Sequence, residues 1–232
     1  MLRDPVIRLR GVRVDIEDHR ALDGVDLDVA AGALTAVVGA NGSGKSTLMS
    51  VLSGLRAPTS GTVEVRRGTA IALVPQHTAD SARLPLTVTD LVSMGRWRER
   101  GAFRPLRRSD RAIVAEAIDA VGLTPHAARP LGALSGGQRQ RAFLGQALAQ
   151  QADLLLLDEP TSGLDDTSRR AAASALRVAT DRGAAVVVVT HDLGELGDVD
   201  DVVTLAAGRI VDATTTDDTR GRRGRNVSSV EA

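Results

Sequence analysis

Residues 34–52 read "LTAVVGANGSGKSTLMSVL". The opening "LTAVVG" is an apolar run that stops at a glycine, the pattern of a strand buried on both faces. From Gly39 to Ser46 the spacing is G-x-x-x-x-G-K-[ST], and Thr47 completes "GANGSGKST". Gly42 and Gly44 let backbone N–H groups turn inward around a phosphate. A helix beginning there adds about half a positive charge at its N-terminus. Lys45 is placed to reach β- and γ-phosphates, and the Ser46 hydroxyl to hold Mg2+. Gly39, Asn41, Gly42, Ser43, Gly44, Lys45, Ser46 and Thr47 together form the expected phosphate cradle. The helix is expected over 44–55, with Leu48, Val51, Leu52 and Leu55 on one side.

Outward from this loop the chain alternates strands and helices, the grammar of an α/β fold. Upstream, "VIRLRGVRVDI" and "VDLDV" have a period of two and predict half-exposed antiparallel strands. Downstream, "TVEV" and "AIALV" predict two more strands. Residues 78–150 change character. "TVTDLVSMGRW" and "SDRAIVAEAIDAVG" predict helices, the second capped by Ser109 and Gly122, with Ile113, Val114, Ala117, Ile118 and Val121 on an apolar face. Between them "RWRERGAFRPLRRSD" reads as a basic loop. The α/β pattern resumes with "DLLLLDEP" at 153–160, a helix near 167–180 and the strand "AAVVVVT" at 184–190. From Thr214 onward apolar residues almost vanish, which predicts a disordered tail.

Composition excludes several classes of function. The 232 residues carry 29 basic and 29 acidic side chains, so the whole molecule has no nucleic-acid footprint. Two Phe, one Trp and no Tyr leave little to stack on single-stranded bases. With no Cys and four scattered His, thiolate and zinc-type sites are not expected. No run approaches the ~18 apolar residues of a membrane span, and the N-terminus has no signal-peptide pattern.

Two further segments carry chemistry. Asp158 emerges at the end of the leucine strand, where ligands of open α/β sheets sit, and is placed to hold Mg2+. Glu159 follows and could polarise an attacking water; taken alone, such a pair also fits a solvated strand-end cap. "LSGGQ" at 134–138 is a second glycine-rich nest at a helix start, 90 positions after Lys45. One phosphate chain cannot easily fill two such separated nests in one small domain. The bland alternative is a plain N-cap at Ser135.

With these motifs in order, the chain resembles the nucleotide-binding subunits of ATP-binding cassette transporters over residues 6–212. The resemblance rests on the loop 39–47, Gln76 after a strand, the signature 134–138, "LLLLDEP" at 154–160, "SGLD" at 162–165 and His191 after a strand. It implies a P-loop NTPase (RecA-like) mixed sheet with an N-terminal antiparallel β-subdomain and an inserted α-helical subdomain. The implied core is about 6–77 and 151–212, the helical subdomain about 78–150 and the tail about 213–232. ATP and Mg2+ are the implied cofactors, with Ser46, Gln76 and Asp158 around the metal. Glu159, His191 and Gln76 are the implied catalytic residues. Two chains would pair head to tail as a homodimer, so that Ser135, Gly136, Gly137 and Gln138 cover the partner's nucleotide and Asp165 shapes the neighbouring site. Asp165 also fits a plain helix N-cap.

The family usually stacks an aromatic side chain on adenine some two dozen residues before the P-loop. Here Ile16 stands at that position, with His19 close by. "LGQALAQ" also carries Gln146 where many relatives have Arg. Residues 84–101, "LPLTVTDLVSMGRWRERG", resemble metal-ion importers, zinc before manganese, with iron–siderophore or cobalamin importers as the alternative. The implied partners are a transmembrane permease, gripped by the helical insertion, and an extracytoplasmic substrate-binding protein. The implied place is the cytoplasmic face of the membrane, peripherally and without a span of its own. A non-transport cassette ATPase or a regulatory module is the alternative class.

Overall fold

The computed structural model describes residues 4–74, 85–102 and 104–215. Its strands are β1 (Pro5–Ile16), β2 (His19–Ala30), β3 (Leu34–Val38), β4 (Ser60–Val65), β5 (Ile71–Val74), β6 (Leu154–Asp158), β7 (Ala185–Val189), β8 (Asp201–Ala206) and β9 (Arg209–Thr215). Its helices are α1 (Lys45–Leu52), α2 (Val88–Met94), α3 (Trp97–Arg100), α4 (Arg108–Ala120), α5 (Gly136–Ala149) and α6 (Asp166–Asp181). One sheet runs β2-β1-β4 and is antiparallel. The other runs β5-β6-β7-β3-β8-β9, parallel except for β9 at the edge. The fold is thus the P-loop NTPase architecture expected, with its antiparallel β-subdomain.

The apolar pattern explains the layers. On β6, Leu154 and Leu156 join the cluster shared with α1 and the antiparallel sheet. Leu155 and Leu157 join the cluster shared with α4, α5 and α6. β7 splits in the same way, with Val187 and Val189 on one side and Val186 and Val188 on the other. A strand buried on both faces needs no polar alternation, and each buried leucine or valine contributes about 2 kcal/mol. On β1 the buried set moves from Ile7 and Leu9 to Val12 and Val14. Gly11, at φ 57°, absorbs the extra residue as a bulge, and the pairing with β2 shifts register there.

Several local expectations are corrected. α1 ends at Leu52 because Gly54 turns left-handed at φ 75°, and Leu55 is 74% exposed. α4 starts earlier than Ser109. Its N-cap is Arg107, whose N–H donates to Asp110 Oδ2 at 3.0 Å. Gly122 follows the last turn with φ 64°. Ala213, Thr214 and Thr215 belong to β9, not to a tail. The expected tail beyond them lies outside the described residues.

The stretch expected as a basic loop contains the helix α3. Trp97 is 42% exposed, whereas Arg96 is 2% exposed. The Arg96 guanidinium donates to Asp110 Oδ1 (3.3 Å), Ala149 O (2.9 Å) and Gln151 Oε1 (3.4 Å), and it pairs with Glu99. One arginine therefore ties together the ends of α4 and α5. Burial alone would raise the Asp110 carboxyl. The Arg107 N–H, the Arg96 hydrogen bond and the charges of Arg100 and Arg96 instead hold it below its ordinary value of 3.8.

The fold stabilises the charged form of Asp110. Its contribution is therefore fully present above the unfolded value and is lost as pH falls through the lower folded one. Near neutral pH the wild type should melt above Asp110→Asn, and the gap should narrow below pH 3.8. Thermal melts of both proteins across acid pH check this. A gap that does not change with pH would mean that the carboxylate charge contributes nothing.

Candidate functional site

Three parallel strands bring the site together. β3, β7 and β6 lie side by side, and their registers align Val37 with Val189 and Val189 with Asp158. The loop 39–46 leaves β3, Asp158 ends β6 with Glu159 directly after it, and His191 follows β7. The carboxyl ends of adjacent parallel strands are where α/β sheets bind ligands.

The glycine loop is wedged between neighbours. A Cβ on Gly39 would stand 2.2 Å from Leu205 O, and one on Gly44 would stand 2.6 Å from Ala21 O. Gly42 (φ 77°) and Gly44 (φ 106°) are left-handed. The turn after β8 closes the wedge, where Gly208 N donates to Ser43 O at 2.9 Å. Lys45 Nζ donates to Gly39 O (2.7 Å) and Ala40 O (2.8 Å), which holds the ammonium across the loop. Among the described residues the buried Ser43 hydroxyl has no hydrogen-bond partner. The first turn of α1 presents N–H groups that have no intrahelical acceptor. This donor-rich cradle fits a phosphate chain. Ser46 at the start of α1 and Asp158 supply hard oxygen donors of the kind Mg2+ takes. Gln76 lies outside the described residues.

Glu159 has φ 48°, uncommon for a residue with a side chain and costing about 1–2 kcal/mol. Its N–H donates to Val189 O at 3.0 Å, and its carbonyl accepts from Gln140 Nε2 at 3.0 Å. His191 Nδ1 lies 3.8 Å from Glu159 Oε1. A carboxylate and an imidazole thus stand beside the phosphate loop, able to accept and donate protons. Below them Thr161 Oγ1, wholly buried, donates to Glu195 Oε2 at 2.7 Å. That bond ties the loop after Glu159 to the turn after His191.

The second glycine stretch opens α5. Ser135 Oγ accepts from Gln138 N (3.2 Å), and Gln138 Oε1 accepts from Ser135 N (3.0 Å), a reciprocal capping box. Gly137 is close-packed, since a Cβ would meet Leu164 Cδ2 at 3.1 Å, whereas Gly136 faces open space. α5 packs on α2, α4, α6 and β5, while α1 packs on β6 and β2. The two nests therefore stand on separate supports. Asp165 caps α6 by accepting from Ser168 N at 2.7 Å, and that bond holds its carboxyl below the ordinary range.

Ile16 and His19 face each other across the β1–β2 turn. Ile16 packs on the core, and His19 is exposed two residues before Ala21, the residue that abuts Gly44. Sequence reasoning missed Gln140, Thr161, Glu195 and Gly208. For Gly208 the signal was present, a glycine between two apolar runs. The other three make contacts between residues 19 to 34 positions apart, which no local pattern reveals.

Comparison with known proteins agrees with this geometry. The family described as ABC transporter matches residues 22–162. The chain is 38% identical over 199 residues to the manganese transport system ATP-binding protein MntB of Halalkalibacterium halodurans, covering 83% of this chain and 79% of that protein. It is 37% identical over 218 residues to the zinc transport system ATP-binding protein TroB of Treponema pallidum, covering 88% and 82%. Among solved structures it is similar to a metal-chelate type ABC transporter in an inward-facing conformation, with TM-score 0.80, 30% identity, and coverage of 92% of this chain and 84% of that one.

The wedge makes a steric prediction. Gly44→Ala meets both left-handed strain and the Ala21 carbonyl, whereas Gly42→Ala meets strain with nothing within 4 Å. Gly44→Ala should therefore lower stability more than Gly42→Ala, which should cost about 1 kcal/mol. Denaturant titration compares them, and equal losses would remove the wedge argument.

Proposed function

This chain belongs to the ABC transporter family, and from that premise we propose that it powers import of a metal ion, zinc in first place and manganese in second. Hydrolysis of ATP coupled to transport is the family's activity. The observation that carries the ATP-hydrolysing part of the reading is the alignment of loop 39–46, Asp158–Glu159 and His191 on three adjacent strand ends. The metal-ion part is supported by the likeness to manganese and zinc transport proteins. A metal-chelate importer is the second reading, favoured by the likeness to the metal-chelate type transporter.

ATP is bound as substrate. Lys45 and the loop N–H groups hold its phosphates, and Ser46 and Asp158, with Gln76 as the resemblance implies, would hold Mg2+. The metal ion supplies charge that offsets the phosphate oxygens. Glu159 accepts the proton of the attacking water. His191, beside it, donates a hydrogen bond to the γ-phosphate. Ser135, Gly136, Gly137 and Gln138 of one chain cover the nucleotide of the other, and Asp165 lies at the same interface. Ile16, with His19, stands where relatives place the adenine-stacking ring. Among the described residues no helix is long and apolar enough to cross a membrane. The subunit would work at the cytoplasmic face, gripping a permease through the helical insertion and acting with an extracytoplasmic substrate-binding protein.

Glu159→Gln keeps shape but removes the proton acceptor, so hydrolysis should fall about 10²–10⁴-fold while ATP binding survives. With Mg2+ and ATP this variant should shift from monomer to dimer on a sizing column. Adding Ser135→Arg fills the nest and should restore the monomer with ATP still bound. It also removes a helix cap worth about 1 kcal/mol, so circular dichroism accompanies the column. A folded double variant that still dimerises would overturn the head-to-tail reading.

Cells lacking the protein should grow poorly in zinc-chelated medium and recover on added zinc. Recovery only with manganese would exchange the first place for the second. A defect confined to chelated iron would favour the metal-chelate reading.

A further inference from the structure

The polar residues after the glycine pair each have a separate internal contact. Gln138 closes the capping box. Arg139 donates to Leu134 O at 2.9 Å, within its own turn. Arg141 donates to Val121 O at 2.8 Å, at the end of α4. Of these four, Gln140 alone reaches the loop after β6, where its Nε2 donates to Glu159 O at 3.0 Å. The receiving residue is the one whose backbone sits at φ 48°.

A left-handed residue with a side chain persists only where its surroundings over-determine it. Glu159 is held at both peptide groups. Its N–H is fixed to Val189 O on β7 at 3.0 Å, and its carbonyl is fixed to α5 through Gln140. The other recorded backbone bond to that carbonyl, from Ser162 N, is longer at 3.3 Å. Releasing the carbonyl would let Glu159 turn about its N–Cα bond toward an ordinary negative φ, which moves the carbonyl and the Cα–Cβ direction together. A general base works only within hydrogen-bond reach of its proton, and a misplacement of ~1 Å can cost about 100-fold in rate.

We propose that Gln140 is a positioning residue for Glu159, acting by fixing the carbonyl that keeps this residue left-handed and its carboxylate aimed. The proposal rests on Glu159 being the general base. It also joins the helix that opens at the second glycine stretch to the carboxylate of the chain's own site. Gln140 touches no substrate in this role.

The test uses the full chain with ATP and Mg2+. Gln140→Leu keeps the outline and removes the donor, whereas Gln140→Lys keeps a donor of similar reach. In Gln140→Leu, kcat should fall about 10- to 100-fold, with ATP affinity and unfolding temperature unchanged. Gln140→Lys should recover most of the rate. In a Glu159→Gln background, followed by single turnover, Gln140→Leu should add little further loss, because the group it positions is already gone. A normal kcat in Gln140→Leu would overturn the proposal. So would the same fold-loss in both backgrounds, or a loss explained by weaker ATP binding or a lower unfolding temperature. If Glu159→Gln itself hydrolyses ATP normally, the general-base reading fails and takes the proposal with it. If Glu159→Gln is slow and Gln140→Leu is normal, the proposal fails alone.

Discussion

The in-register parallel pairing of β6, β7 and β3 is the constraint on which the rest depends. Each strand is buried on both faces, and their ends align at Asp158, Val189 and Val37. Side chains alternate between faces with every residue, so a one-residue slip would exchange the two core clusters and move the loop relative to the carboxylates. Hydrophobic burial therefore fixes more than stability. It sets the spacing of three chemical groups that lie far apart in the sequence. The pairing continues past the strands, where Glu159 N and Thr190 N both donate to carbonyls of neighbouring strands.

Around that edge the structure accepts local cost. Gly39 and Gly44 stand where no other residue fits without clash. Glu159 accepts left-handed backbone although it carries a side chain. Such strain is kept where surrounding contacts over-determine it, and here those contacts come from every direction. β7 holds the Glu159 N–H, α5 holds its carbonyl, and the Thr161–Glu195 bond holds the loop that follows. The site is braced by residues that lie outside the motifs that name it.

Much of this was legible in the sequence, and the failures have physical reasons. Apolar runs gave β3, β6 and β7, because strands buried on both faces leave an unbroken signature. β9 was missed because an edge strand with nearly every residue exposed shows no alternation. Helical spacing puts Leu55 on the buried face of α1, but Gly54 stops the helix before it. Ser109 lies inside α4, because the helix is capped at Arg107, whose N–H the Asp110 carboxylate reaches back to accept. Arg96 could not be read as buried at all. Apart from Glu99, its partners lie 14 to 55 positions away, and an arginine-rich stretch looks solvated until the fold supplies them. At the site, residue types were readable wherever a motif supplied them, and the residues that brace the motifs were not.

The second glycine stretch shows how far an internal account can go. Ser135 and Gln138 satisfy each other, so the capping box needs nothing from outside. Gly137 is accounted for by contact with Leu164, at the foot of the loop that follows Glu159. Gly136 has no such reason. It is exposed, a Cβ there would meet nothing within 4 Å, and its φ is not left-handed. Glycine in a helix costs about 0.5–1 kcal/mol relative to alanine, and no contact among the described residues offsets that. The bare backbone at Gly136 is what close approach by another molecule requires, at the mouth of a helix N-terminus that favours anions. Packing among the described residues accounts for Gly137, and Gly136 is the position that the proposed approach of a partner chain's nucleotide would use.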